Sequence, residues 1–229
     1  MSEYVVISSE KDMDEGGIII HRVNVPGKNP EVIKYRAIQG GLTWPKDGAP
    51  GYYMILGQLD DGLDYLRQDV KSPLKFLAEF ESESPEELFN RLTDDAKMLF
   101  CGEFYCDTGP EWEGFVEAFD NYISKHKVQN VYFREAPFSQ NFHFGVTKIR
   151  EWRAAGALDI PEDTTIRNQL KEMEPTDLKA SPETNFFAVN ALRFVIGGIE
   201  KYSPGPIPQK VLARILRDRG PRPGGFMAS

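Results

Sequence analysis

The sequence predicts an α/β protein, a mixed β-sheet flanked by helices and preceded by a β-rich N-terminal segment. Three observations carry this. Aromatic and branched residues run at strand spacing through 52–59 and 74–80. Helical patterns follow, one opened by Ser84-Pro85 and one over 111–126. Between them lies a short apolar strand, Phe104-Tyr105-Cys106, that ends in Asp107-Thr108-Gly109-Pro110.

In chain order, residues 1–50 hold three short apolar runs, Tyr4-Val5-Val6-Ile7, Ile18-Ile19-Ile20 and an alternating 32–38. Gly16-Gly17 and Pro26-Gly27 supply turns between them. Gly40-Gly41 and the stretch 45–51 are expected to break the chain before the strand at 52–59. Asp60-Asp61-Gly62 reads as a hairpin turn, with 63–70 returning and 74–80 as a third strand. Ser84 is a suitable N-cap, Pro85 suits the first helical position, and Glu86 and Glu87 suit the positive end of the helix dipole. The helix over 111–126 places Trp112, Phe115, Phe119, Tyr122 and Ile123 on one face. A strand at 128–133 and helices at 144–155, 165–173 and 185–202 complete a single domain over 1–202. Residues 203–229 form a Pro/Gly-rich basic tail.

With 229 residues, 41% of them hydrophobic, the chain is long and apolar enough to bury a core. Its net charge of −8 argues against binding nucleic acid through a broad basic surface, so any DNA contact has to be local. Cys101 and Cys106 are too few for a disulfide framework or a zinc knuckle and are expected to be small core residues. His21, His126 and His143 are scattered without zinc-ligand spacing. With no apolar run near the length that spans a bilayer and no basic N-terminal leader pattern, a cytoplasmic protein is expected, in the host cytoplasm if phage-encoded.

The order of elements is that of a ribonuclease H-like domain, and further stretches sharpen the resemblance. Phe144-Gly145-Val146-Thr147-Lys148-Ile149-Arg150, then 155–161 and Leu170-Lys171-Glu172-Met173, resemble the late part of phage large-terminase nuclease domains. Val189-Asn190-Ala191-Leu192-Arg193-Phe194 looks like that family's last helix, usually Val-Asp-Ala-Leu-Arg-Tyr. The hairpin over 53–66 is similar to the family's second and third strands. No G-x-x-x-x-G-K-[ST] loop occurs, so the packaging ATPase itself is absent from this sequence.

The resemblance implies two-metal hydrolysis of DNA phosphodiesters during genome packaging, with two Mg²⁺ or Mn²⁺ ions about 3.5–4 Å apart held by carboxylates. It implies double-stranded DNA as substrate and a packaging ATPase or portal as partner. Acids are expected on the first strand, at the end of the fourth and on the last helix. Asp107 fills the fourth-strand position, although an aspartate there also suits a helix cap. The last-helix position holds Asn190, a neutral and weak ligand, with Glu183 as a possible substitute. If 53–66 is strands two and three, strand one lies before Pro50, and 37–44 offers no carboxylate. If it is strands one and two, Asp60 or Asp61 becomes the ligand. Glu135 is a further candidate, and Lys148 or Arg150 would contact the DNA backbone. This uneven set fits either an active nuclease or an inactive module that binds another component of the packaging machinery.

Overall fold

The computed structural model describes residues 5–13, 17–24, 27, 29–46, 48–60, 73–110, 112–137, 142–173 and 186–202. Its elements run β1 (Val5–Asp12), β2 (Ile18–Asn24), β3 (Glu31–Thr43), β4 (Gly51–Leu59), β5 (Leu74–Ser82), α1 (Pro85–Leu99), β6 (Glu103–Cys106), α2 (Glu113–His126), β7 (Tyr132–Glu135), α3 (Phe142–Ala154), β8 (Leu158–Asp159), α4 (Thr165–Glu172) and α5 (Phe187–Tyr202). The strands form one mixed sheet in the order β1-β2-β3-β4-β5-β8, with β6 paired to β3 and β7 to β6. The first four pairings along that order are antiparallel, while β6 lies parallel to β3 and β7 parallel to β6. The predicted return strand over 63–70, Asp61 and the basic tail lie outside the described residues.

Strand β3 organises the sheet because it is long enough to serve two neighbours on one edge. Its first half, to Tyr35, pairs with β2, and its second half pairs Gln39, Gly40 and Gly41 with Glu103, Phe104 and Tyr105 of β6. The expected break at Gly40-Gly41 is therefore corrected: both glycines are paired strand residues. A Cβ on Gly40 would come 2.2 Å from the Phe104 ring, and one on Gly41 would come 1.9 Å from the Ala191 carbonyl oxygen. The pair permits close approach of a ring on one face and a helix backbone on the other, a strand use of glycine that mimics a turn signal.

Two apolar layers cover the sheet. On one face α1 and α2 pack Leu88, Leu92, Phe89 and Phe119 against Ile38, Leu42, Tyr53, Ile55 and Phe104. On the other, α3, α4 and α5 pack Val146, Ile149, Ile166, Ala188, Val195 and Ile199 against Tyr52, Met54, Leu56 and Tyr105. Alternation along β4 accounts for the division, since successive side chains leave opposite faces. Both cysteines are buried and free, and burial pushes their thiols well above the usual range. Among the described residues no helix is long and apolar enough to cross a membrane.

Helix α1 begins as its sequence predicts: Ser84 Oγ accepts from the Glu87 N–H at 3.3 Å, and Pro85 follows it. The strand expected at 128–133 starts later, at Tyr132. Lys127 closes α2 in the left-handed region (φ 52°), and Asn130 takes φ 63°, so the chain turns before it can extend.

The β1–β2 hairpin is fastened to the end of α1. Ser9 Oγ donates to the Met98 carbonyl at 2.7 Å, and the buried His21 Nε2 reaches the Leu99 carbonyl at 3.1 Å. Burial holds the His21 pKa below its ordinary 6.5. As pH falls through the unfolded chain's value, the unfolded chain takes up a proton that the fold resists. Stability is thus expected to decline below about pH 6.5. Urea midpoints compared at about pH 7.5 and about pH 5.5 should show the decline, and His21→Asn should reduce it.

Candidate functional site

The site lies where β3, β6 and the first turns of α5 converge. Phe104 points to the α1–α2 layer, Tyr105 to the α5 layer, and Cys106 back again. Alternation carried one residue further puts Asp107 toward α5. Continuing the parallel register from Gly41–Tyr105 by two residues sets Thr43 beside Asp107. Trp44 closes this end of the strands: its indole N–H donates to the Asp107 carbonyl at 2.8 Å. One oxygen of the half-buried Asp107 carboxylate accepts from the Gly109 N–H at 3.0 Å, a local turn contact.

Helix α5 arrives over the same place. Thr43 Oγ1 lies 3.5 Å from the Phe187 carbonyl and 3.4 Å from that of Tyr52. The Ala191 carbonyl sits over Gly41, and Gly198 lies against the Tyr105 ring further along. Asn190, only 2% exposed, is turned onto its own helix, where Oδ1 accepts from Arg193 Nε at 2.6 Å. Gly145 of α3 makes room for the Arg193 side chain, since a Cβ there would come within 2.8 Å of it.

Two contacts fix where α5 begins. Gln169 of α4 is buried, and its Oε1 accepts from the Ala188 N–H at 2.9 Å and the Val189 N–H at 3.3 Å. It thereby satisfies donors that a helix start leaves without intrahelical partners. Helix α4 is held in turn by Glu79 of β5, whose carboxylate accepts from the Thr165 N–H at 3.1 Å and from the Tyr52 hydroxyl. Burial raises the Glu79 pKa, with Glu81 adding to the rise, while those hydrogen bonds oppose it. Burial and Glu79 together raise the Tyr52 pKa well above the usual phenol range.

Of the residues singled out in the sequence, Asp107 and Asn190 come to this end of the sheet. Asp60 does not. It follows Leu59, which pairs with Tyr35, while Thr43 pairs with Tyr52 at the other end of β3. The two ends are about 26 Å apart at strand rise, and Asp60 instead meets Arg36 Nε at 3.2 Å. The first core strand is therefore the one before Pro50. Glu135 pairs with Cys106, so its side chain leaves the sheet on the α1–α2 side, away from α5. Lys148 Nζ is engaged by Glu151 at 2.8 Å and Glu200 at 3.6 Å, and Arg150 is exposed on α3. Asp61 and Glu183 lie outside the described residues.

Thr43, within the stretch 37–44, also comes to this end of β3, just past the Gly40-Gly41 pair over which α5 crosses. At this site the described residues offer one carboxylate, one amide oxygen already held by Arg193, and one hydroxyl. A pair of hard dications needs several anionic oxygens. The Mg²⁺ or Mn²⁺ implied by the resemblance does not fit this donor set, and among the described residues no group of three or more His, Cys, Asp and Glu is placed to hold a metal ion.

No protein-family model matches the chain, and no curated protein matches it in sequence. Among solved structures, the large-terminase nuclease from the thermophilic phage G20c is similar with a TM-score of 0.50 and 13% identity, over 87% of this chain and 94% of that one. A zinc-bound structure of that nuclease gives 0.49 and 10% over the same shares. The fowlpox virus Holliday junction resolvase gives 0.40 and 10%, over 71% of this chain and 97% of its own. The first likeness, with the strand order, is one of fold: a ribonuclease H-like mixed sheet flanked by helices. The neighbours of that fold include a phage large-terminase nuclease, in accord with the resemblance read from 144–194.

Proposed function

We propose that this chain is a terminase-type nuclease module of a phage DNA-packaging machine that works by binding another component of the machine, the ATPase or the portal, instead of cutting DNA. The observation that carries this reading is the state of the site. Asn190 is buried and satisfied by Arg193, Thr43 is neutral, and among the described residues no group of three or more His, Cys, Asp and Glu gathers with Asp107 there. A net charge of −8 and the pairing of Lys148 with two glutamates agree with a protein partner more than with a DNA track.

A second reading, metal-dependent hydrolysis of double-stranded DNA, is favoured by Asp107, which stands at the strand end where such chemistry would need it. In that reading Mg²⁺ or Mn²⁺ would take a further ligand from Glu183. The two readings separate in one assay. Supercoiled plasmid incubated with the purified chain and Mn²⁺ is expected to stay intact, with no difference between the wild type and Asp107→Ala. Nicking by the wild type that Asp107→Ala abolishes would establish the second reading.

A further inference from the structure

We infer that, among the described residues, Thr43 and Asn190 are the side chains that keep the site from holding a divalent cation, and that the backbone around Asp107 still has the form of such a site. This inference rests on the non-cutting reading above and deepens it.

The frame is built to close tolerance. Gly41 admits the Ala191 carbonyl where any Cβ would collide, and Trp44 clamps the Asp107 backbone to the end of β3. Gln169 fixes the first turn of α5 through two buried N–H groups. These contacts fix the end of β3, the Asp107 backbone and the first turn of α5, which carries Asn190, against one another, a degree of fixation that a merely solvent-facing loop aspartate does not require. What the corner lacks is charge, not shape.

Both substitutions that would supply charge are small. Asparagine and aspartate have the same heavy-atom outline, and Arg193 Nε, which now donates to Asn190 Oδ1, donates equally well to a carboxylate oxygen. The second oxygen then becomes an anionic donor instead of an amide nitrogen. A carboxylate in place of Thr43 would come near the Phe187 carbonyl and the Asp107 carboxylate, two oxygen groups that repel it. That repulsion weakens the metal-free fold and is relieved when a hard cation binds among the oxygens. Metal binding and stability are therefore coupled in the substituted chain.

The full chain carrying Thr43→Asp and Asn190→Asp is the test, with MnCl₂ as the probe, read by calorimetry and by thermal unfolding. The expected result is Mn²⁺ affinity about tenfold or more above that of the wild type. Its unfolding temperature should rise with Mn²⁺, fall back with EDTA, and lose the response when Asp107→Ala is added. If the double variant does not fold without metal, Asn190→Asp alone is measured in the same way, with a smaller gain expected and the same dependence on Asp107. A folded variant whose Mn²⁺ affinity equals that of the wild type overturns the inference, as does a gain that survives Asp107→Ala. Either result leaves the non-cutting reading standing. Plasmid nicking by the wild type that depends on Asp107 overturns that reading, and the inference with it.

Discussion

Replacing Gly41 with alanine is expected to cost about 3 kcal/mol or more of stability, lowering the unfolding temperature by roughly 6–12 °C. The added methyl would lie 1.9 Å from the Ala191 carbonyl oxygen, and neither party can yield easily. Gly41 is paired on both sides, to Met54 and to Tyr105, so β3 cannot shift without disturbing two ladders. Helix α5 is fixed at its start by Gln169 and along its length by Gly198 against the Tyr105 ring. The comparison is Gly114→Ala in α2, where a Cβ meets nothing within 4 Å. That change is expected to leave stability unaltered or to raise it by up to about 1 kcal/mol, because alanine loses less backbone entropy in a helix. Thermal unfolding of the two variants side by side checks both expectations.

The second large effect is expected at Gln169. Truncation to alanine removes the oxygen that accepts from both Ala188 and Val189, and the Ala188 backbone is sealed within the α4–α5 contact. Leaving buried donors without a partner costs on the order of 1–3 kcal/mol each, so a total loss of about 2–6 kcal/mol is expected for the two. Gln169→Glu keeps an acceptor oxygen and should recover part of the loss, although it brings a charge into a buried place. Hydrogen exchange at the first turn of α5 distinguishes this from a general loss of packing. Alanine should speed exchange there much more than at the centre of α5, whereas a uniform rise would show that Gln169 acts only as a filler.

Much of the fold is legible in the sequence. Ser84-Pro85 marked the start of α1, the aromatic spacing marked α2, and the alternating runs before residue 40 marked the N-terminal strands, because each signal is local. What escaped was non-local. Gly40-Gly41 has the chemistry of a turn, and only the helix and ring packed against it make it a strand. Glu135 sits one residue from facing the site, and only the register with Cys106 turns it away. Asp60 looked like a ligand because sequence could not decide which strand came first, and the pairing of β3 with β6 decides it. The absence of an acid at Asn190 was plain from the sequence. Its capture by Arg193 was not, since that depends on the room left by Gly145.

Whether Asp107 holds a metal ion in the natural chain separates a non-cutting module from a nuclease. Titrating Mn²⁺ into the isotopically labelled protein, and following paramagnetic broadening of the amides of Thr43, Asp107 and Gly109, addresses that directly. A non-cutting module gives weak, non-saturating broadening that is the same in the wild type and in Asp107→Ala. Saturable broadening centred on these three residues, and abolished by Asp107→Ala, would contradict it.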